Sequence, residues 1–172
     1  SCVKEGAAII NDISGFRDPK MVKVAQNCDA GLIVMHMKGE PSSMQQVAVY
    51  SDVVAEVSNY LYGQATMLEQ SGISHDRICI DPGPGFGKMT KHNLCLLKET
   101  KTLSSLGWPL MVATSRKGFV GQITGVSVAR ERVIGSVTSA LFAVEQGAVI
   151  ARVHDVSATV QAFRMLQAIR LA

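Results

Sequence analysis

Five short apolar runs punctuate the chain: Ala8–Ile10, Gly31–Met35, Ile78–Ile80, Leu110–Ala113 and Val149–Val153. Each is nearly continuous in hydrophobicity instead of alternating, which predicts strands covered on both faces of a parallel sheet. Between the runs, apolar residues recur at three- and four-residue steps. The clearest stripe runs from Ser51 to Gln70, through Val53, Val54, Val57, Leu61, Ala65 and Leu68, and Gly72 is placed to end that helix. Asn93–Leu106, Val128–Gln146 and Ser157–Ile169 repeat the pattern, with Gly107 and Gly147 closing two of them. Strands that alternate with helices in this way predict βαβ units.

No linker or change of composition divides residues 1–172, so a single α/β domain is expected. It holds about five strand–helix pairs, whereas a closed eight-unit barrel takes about 250 residues. The opening Ser1–Gly6 reads as the tail of a helix already under way. The expected fold is therefore of the (β/α)8 TIM-barrel type, an incomplete barrel of about five C-terminal units with N-terminal units missing. A five-unit open sheet of flavodoxin type is the alternative.

Composition narrows the function. Hydrophobic residues make up 47% of the chain and charged ones 18%, enough for a real core in a soluble globular domain. The net charge is only +3 and its Lys and Arg residues are dispersed, which does not suggest a nucleic-acid surface. Cys2, Cys28, Cys79 and Cys95 lack the close spacing of zinc or redox motifs and are expected to be reduced thiols. With no basic-then-apolar leader and no window of about 20 apolar residues, secretion and membrane spanning are disfavoured and the cytoplasm is the default expectation.

The chemistry lies where the apolar runs stop. They end in Asn11-Asp12, His36, Asp81, Ser115-Arg116-Lys117 and His154-Asp155. In a barrel these positions share the C-terminal rim, where active sites are built. A carboxylate at Asp81 can accept two parallel N–H bonds, and Asn11 offers both donor and acceptor, so the pair could read the edge of an aminopyrimidinone ring. Asp81 could instead serve only the turn before Pro82, and Asn11 only its local backbone. Arg116, Lys117, Arg152 and His154 gather positive or potentially positive groups suited to a diphosphate; a solvated basic face is the alternative, more so for Arg116 alone than for the clustered set.

The glycine-rich Gly83–Lys88 stretch is not a phosphate loop, because Pro82 replaces the first Walker glycine and Met89 the following Ser or Thr. Nor does it fit a dinucleotide fingerprint, since Lys88 occupies the third glycine position. It is better suited to presenting Phe86 to a ring beside Asp81, or to being a purely structural turn.

Taken together, Ile10–Gly15, Met35–Pro41 continuing to Met44-Gln45, Asp81–Lys88, Thr114–Lys117 and Arg152–Val156 resemble the successive strand-end motifs of the dihydropteroate synthase family, in order and spacing, along essentially the whole chain. The resemblance implies a transferase of folate biosynthesis that joins 6-hydroxymethyl-7,8-dihydropterin diphosphate to p-aminobenzoate, releasing diphosphate. It implies that Asn11 and Asp81 hold the pterin edge, Met35 and Phe86 line its apolar sides, and Lys117 contacts the pterin beside the aminobenzoate subsite. Arg152 and His154 match diphosphate-binding residues, and Lys117, Arg152 and His154 form the implied catalytic set. It further implies magnesium with its ligand in the missing N-terminal part, sulfonamides as inhibitors, and a homodimer through the last two helices. Lacking those units, the 172-residue form itself is expected to show little or no activity.

Two positions depart from the family pattern. Gly118 stands where serine is common near the aminobenzoate carboxylate, and Ala113 where glycine is common near the pterin floor. A pterin-dependent methyltransferase and a non-catalytic pterin-binding module are the alternative functions. The first would have no need of the cationic Lys117, Arg152 and His154.

Overall fold

The computed structural model describes residues 2–40 and 48–172. Pro41, Met44 and Gln45 of the second motif lie outside the described residues. The described chain forms β1 (Ile9–Asp12), α1 (Pro19–Gln26), β2 (Gly31–Met35), α2 (Val53–Gln70), β3 (Ile78–Asp81), α3 (Thr90–Lys98), α4 (Thr100–Ser104), β4 (Met111–Val112), α5 (Gly118–Thr124), α6 (Val133–Glu145), β5 (Ile150–Ala151) and α7 (Val156–Leu171). All five expected strands are present.

The strands are parallel and follow one another in sequence order. β1 pairs with β2 and β2 with β3, a parallel bridge joins Ile80 to Leu110, and β4 pairs with β5. A flavodoxin-type sheet would place its first strand between the second and third. The sequential order excludes that alternative and is the order of consecutive units in a (β/α) barrel.

Side chains alternate across each strand, so the sheet has two unlike faces. Leu32 and Val34 of β2, Ile78 and Ile80 of β3, and Leu110 and Val112 point to the helical layer. There they join Val57, Leu61, Ala65 and Leu68 of α2, Leu96 of α3 and Ala143 of α6 in one core. Ile33, Cys79 and Met111 form a separate small cluster on the opposite, inner face. Continuous hydrophobicity in these strands reflects burial on both sides, by helices on one and barrel interior on the other.

β1 and β5 are different. The expectation of two covered faces fails there: Ile9 of β1 is 54% exposed, Ile150 of β5 37%, and Val149 just before it 67%. They are the outer strands of the described sheet, and only their inward neighbours supply ladder bonds.

Helix ends follow local chemistry. Asp52 caps α2 by accepting from the Val54 and Ala55 N–H groups, and Gly72 follows its end at φ +87°. The helix expected over Asn93–Leu106 starts earlier and breaks at Glu99 into α3 and α4. The one expected from Val128 starts at Val133, after a 3-10 turn at Ala129–Glu131. α1 and α5 were not expected. Cys2–Gly6 forms turns that finish as a helix end does: Gly6 N–H bonds Val3 O, Ala7 N–H bonds Cys2 O, and Gly6 has φ +97°. All four cysteines are free thiols.

Candidate functional site

Register decides which strand-end residues can meet. Asn11 lies opposite Ile33, and Met35 opposite Asp81. Because register partners in a parallel pair project to the same side, Asn11, Met35 and Asp81 share the inner face with Ile33, Cys79 and Met111. Met111 pairs with Ile150, so the pleat returns Arg152 to this face, and Arg152 N–H continues the ladder to Val112 O at 3.0 Å. The other half of each dipeptide points away.

Asp12 is one of those turned away. Its carboxylate accepts from Ser14 N–H, Ser14 Oγ and Phe16 N–H, which fixes the turn after β1. His36 is another: it is buried against Tyr60, edge to face at 4.9 Å, and burial together with Lys88 holds its pKa down to about 3. The neutral, enclosed imidazole packs on Tyr60 and faces Lys88 Nζ at 2.8 Å, and His36 does not belong to the inner face. Asn11 is exposed, and among the described residues its side chain has no hydrogen-bond partner.

Asp81 is the centre of the site. It is 1% exposed, and burial raises its pKa from the ordinary 3.8 to about 6 despite a 2.8 Å bond from Gly83 N–H and the nearby charges of Lys88, Lys117 and Arg152. A carboxylate here lacks water and has few committed partners. It is therefore primed for a ligand that brings N–H donors.

The loop from Asp81 to Lys88 is pressed against the residues after β2. Gly83 has φ +63°, and a Cβ there would lie 2.1 Å from His36 O. Gly87 has φ +64°, and its Cβ would lie 2.3 Å from Lys38 O. The loop carries Phe86 out to Lys117, whose Nζ lies 4.2 Å from the ring centroid. Burial lowers the Lys117 pKa, Asp81 opposes that shift and Arg152 adds to it, so the three charges act on one another.

Lys117 is placed by a strained turn. Arg116 has φ +59°, rare outside glycine, and both its backbone groups are held by α6 or its lead-in. Arg116 N–H donates to Ser136 Oγ at 2.9 Å, and Arg132 Nη1 donates to Arg116 O at 3.0 Å. The Arg116 side chain does not join the anion cluster: its guanidinium forks onto Asp155, with Nη2 to Oδ1 at 2.6 Å and Nε to Oδ2 at 3.1 Å. That clasp links the Lys117 turn to the start of α7. His154 sits between them, its Nδ1 3.0 Å from the buried Ser115 Oγ and its ring exposed.

Of the residues singled out from sequence, the inner face thus carries Asn11, Met35, Asp81 and Arg152. Phe86 and Lys117 meet at its edge, and His154 lies next to Arg152 on the exposed side. Sequence reasoning passed over Lys88, Arg132 and Ser136. Lys88 closes a glycine-rich loop, but nothing in its spacing reveals that it turns inward. Gly118 opens α5 beside a cavity of about 530 Å3 lined by Gly85, Lys88, Asn93 and Gln122. A Cβ at Gly118 would meet nothing within 4 Å, so the missing side chain leaves open space.

The chain matches the family model described as pterin binding enzyme over residues 1–154. It is 42% identical over 165 residues to dihydropteroate synthase of Escherichia coli K12, covering 96% of this chain and 58% of that protein. It superimposes on dihydropteroate synthase of Stenotrophomonas maltophilia, solved with imidazole in its active site, at a TM-score of 0.94 and 42% identity, covering 98% of this chain and 63% of that one. The Thermus thermophilus enzyme, solved in complex with 6HMPPP, gives 0.94 and 41%, covering 98% and 66%. The chain therefore spans less than two thirds of the length of these relatives.

The close approach at Gly83 makes a stability prediction. Gly83→Ala combines a positive φ with a clash against backbone and should cost on the order of 2–4 kcal/mol. Urea unfolding measures it, and a loss below about 1 kcal/mol would mean that the loop is not pinned as described.

Proposed function

The chain belongs to the pterin binding enzyme family, and from that premise we propose that the protein carrying it is a dihydropteroate synthase. The observation that carries this reading is the buried, under-bonded Asp81 carboxylate on an inner face it shares with Met35 and Asn11, with the cationic side chains of Lys117 and Arg152 close enough to act on it.

The parts of the site divide the work between recognition and charge. Asp81 accepts the adjacent N–H groups of a pterin edge and Asn11 supplies a further polar contact. Met35, itself 2% exposed, and Phe86 cover the ring's apolar surface. Arg152 and His154, both exposed, take the diphosphate, and Lys117 stands between pterin and incoming amine. The aryl amine attacks the pterin methylene, the C–N bond forms as the C–O bond to diphosphate breaks, and the amine releases one proton. Arg152 and His154 stabilise charge gathering on the leaving group, while Asp81 and Phe86 orient the pterin. No protein nucleophile is required.

Magnesium, implied by the family resemblance, would assist the leaving diphosphate. Among the described residues no three His, Cys, Asp or Glu side chains converge to hold a metal. The open space at Gly118 supports an aminobenzoate subsite roomier than one bearing serine, and a correspondingly altered response to sulfonamides. A homodimer is supported by the exposed apolar side chains of the last two helices, Ile134, Phe142, Met165 and Ile169. No described helix is long and apolar enough to cross a membrane, and a cytoplasmic setting is proposed on the substrates alone.

The deciding assay follows diphosphate and dihydropteroate from 6-hydroxymethyl-7,8-dihydropterin diphosphate and p-aminobenzoate, using the full-length protein. Stoichiometric formation of both is expected, and Arg152→Ala should lower kcat/KM by about 100-fold or more, as loss of a charge-stabilising group does. Pterin binding without turnover would leave a binding module instead, and methyl transfer without diphosphate release would indicate the methyltransferase.

The raised Asp81 pKa gives a pH dependence. Raised above its ordinary value, this group favours the folded state most below pH 4, and that contribution is lost as pH climbs through about 6. Pterin binding runs the other way, because only the carboxylate accepts two N–H bonds. Affinity should therefore fall about tenfold between pH 7 and pH 5, and Asp81→Asn should abolish that slope. Calorimetric titration at several pH values measures it. An unchanged slope in the variant would assign the dependence to another group.

A further inference from the structure

We propose that Lys88 is a positioning residue of the pterin site, clamping the loop after β3 onto the end of β2 so that Asp81 and Phe86 stand ready for the ring. This rests on reading the inner face as the pterin site.

Lys88 is 3% exposed, and no carboxylate forms an ion pair with it among the described residues. A buried ammonium is costly unless hydrogen bonds and nearby opposite charge replace its water. Four acceptors surround it: His36 Nδ1 at 2.8 Å, Gly83 O and Phe86 O each at 3.0 Å, and His36 O at 3.3 Å. Two belong to the residue that follows β2, and two lie on either side of the glycine-rich turn. One ammonium thus joins two loops that share no strand.

What it grips is what the site uses. Gly83 N–H is the donor to Asp81 Oδ1, and Gly83 O accepts from both Lys88 and Phe86 N–H. The second loop carbonyl held by Lys88 belongs to Phe86 itself, whose ring meets Lys117. His36, kept neutral by its burial, can present a lone pair at Nδ1 to the ammonium. Burial pulls the Lys88 pKa from 10.5 down to about 7; the Asp81 carboxylate opposes that shift without a direct bond, and the four acceptors hold the amine in place. Lys88 therefore holds the Phe86 carbonyl directly, and holds Asp81 through Gly83, whose carbonyl it grips and whose N–H bonds the carboxylate.

A double-mutant cycle between Lys88→Met and Phe86→Ala tests this in the full-length protein, with 6-hydroxymethylpterin as the probe and binding read well below the unfolding midpoint. If Lys88 acts through the loop, each single variant loses at least about tenfold in affinity, and the double variant is no more than about threefold worse than the weaker single one. A lysine that merely stabilises the fold would leave the affinity of folded protein unchanged, or give losses that multiply. Either result overturns the proposal. Should Lys88→Met fail to fold, Lys88→Gln, which keeps two N–H donors, goes through the same cycle with the same criteria. Wild-type protein that binds no pterin would overturn the functional reading and this inference together, whereas wild-type binding with multiplicative losses would overturn only the role of Lys88.

Discussion

A carboxylate buried on the inner face of the sheet is the constraint around which this structure is arranged. Asp81 sits at the end of a strand buried on both sides, where ionisation is disfavoured, yet Lys88, Lys117 and Arg152 approach from three different elements and pull the other way. Burial outweighs them, and the group titrates at about 6 instead of the ordinary 3.8. A fully paired aspartate would have no capacity left for a ligand, and an unopposed one would stay protonated. The balance leaves a buried acceptor whose natural partner is a flat molecule with adjacent N–H groups.

Holding that balance requires backbone that would not adopt its shape unaided. Gly83 and Gly87 allow the loop to pass within a side chain's width of the residues following β2. Arg116 has a side chain but occupies the left-handed region all the same, and Ser136 and Arg132 compensate by satisfying its N–H and C=O. The cations at the mouth are thereby sorted. Arg116 is spent on Asp155 and Lys88 on carbonyls and an imidazole, while Lys117, over the Phe86 ring, and Arg152 remain at the edge of the inner face.

Much of this was legible in the sequence, and the pattern of misses is physical. Continuous apolar runs located all five strands because β2, β3 and β4 really are covered on both sides, but the same runs overstated the covering of β1 and β5. Periodicity found α2 within two residues. It missed α1, eight residues long, although Asp18 before Pro19 is a cap signal, and α5, whose two glycines weaken a helical pattern. Strand-end chemistry singled out Asn11, Asp81, Lys117 and Arg152 as candidates, but a list of terminal residues cannot say which way each points. The pleat separates Asn11 from Asp12 and Met35 from His36, and only register reveals it. Lys88 was invisible for a related reason: a lysine in a glycine loop normally reads as solvated, and its burial depends partly on the imidazole and carbonyl of His36, which follows a different strand.

The central claim is that a pterin lies on the inner face with its N–H edge on Asp81. A crystal structure of the full-length protein with bound 6-hydroxymethyl-7,8-dihydropterin diphosphate tests it most directly. The account predicts two N–H contacts to the Asp81 carboxylate at about 2.8–3.0 Å, with the diphosphate beside Arg152 and His154. A pterin seated elsewhere, or one whose edge leaves Asp81 without a contact, would contradict it.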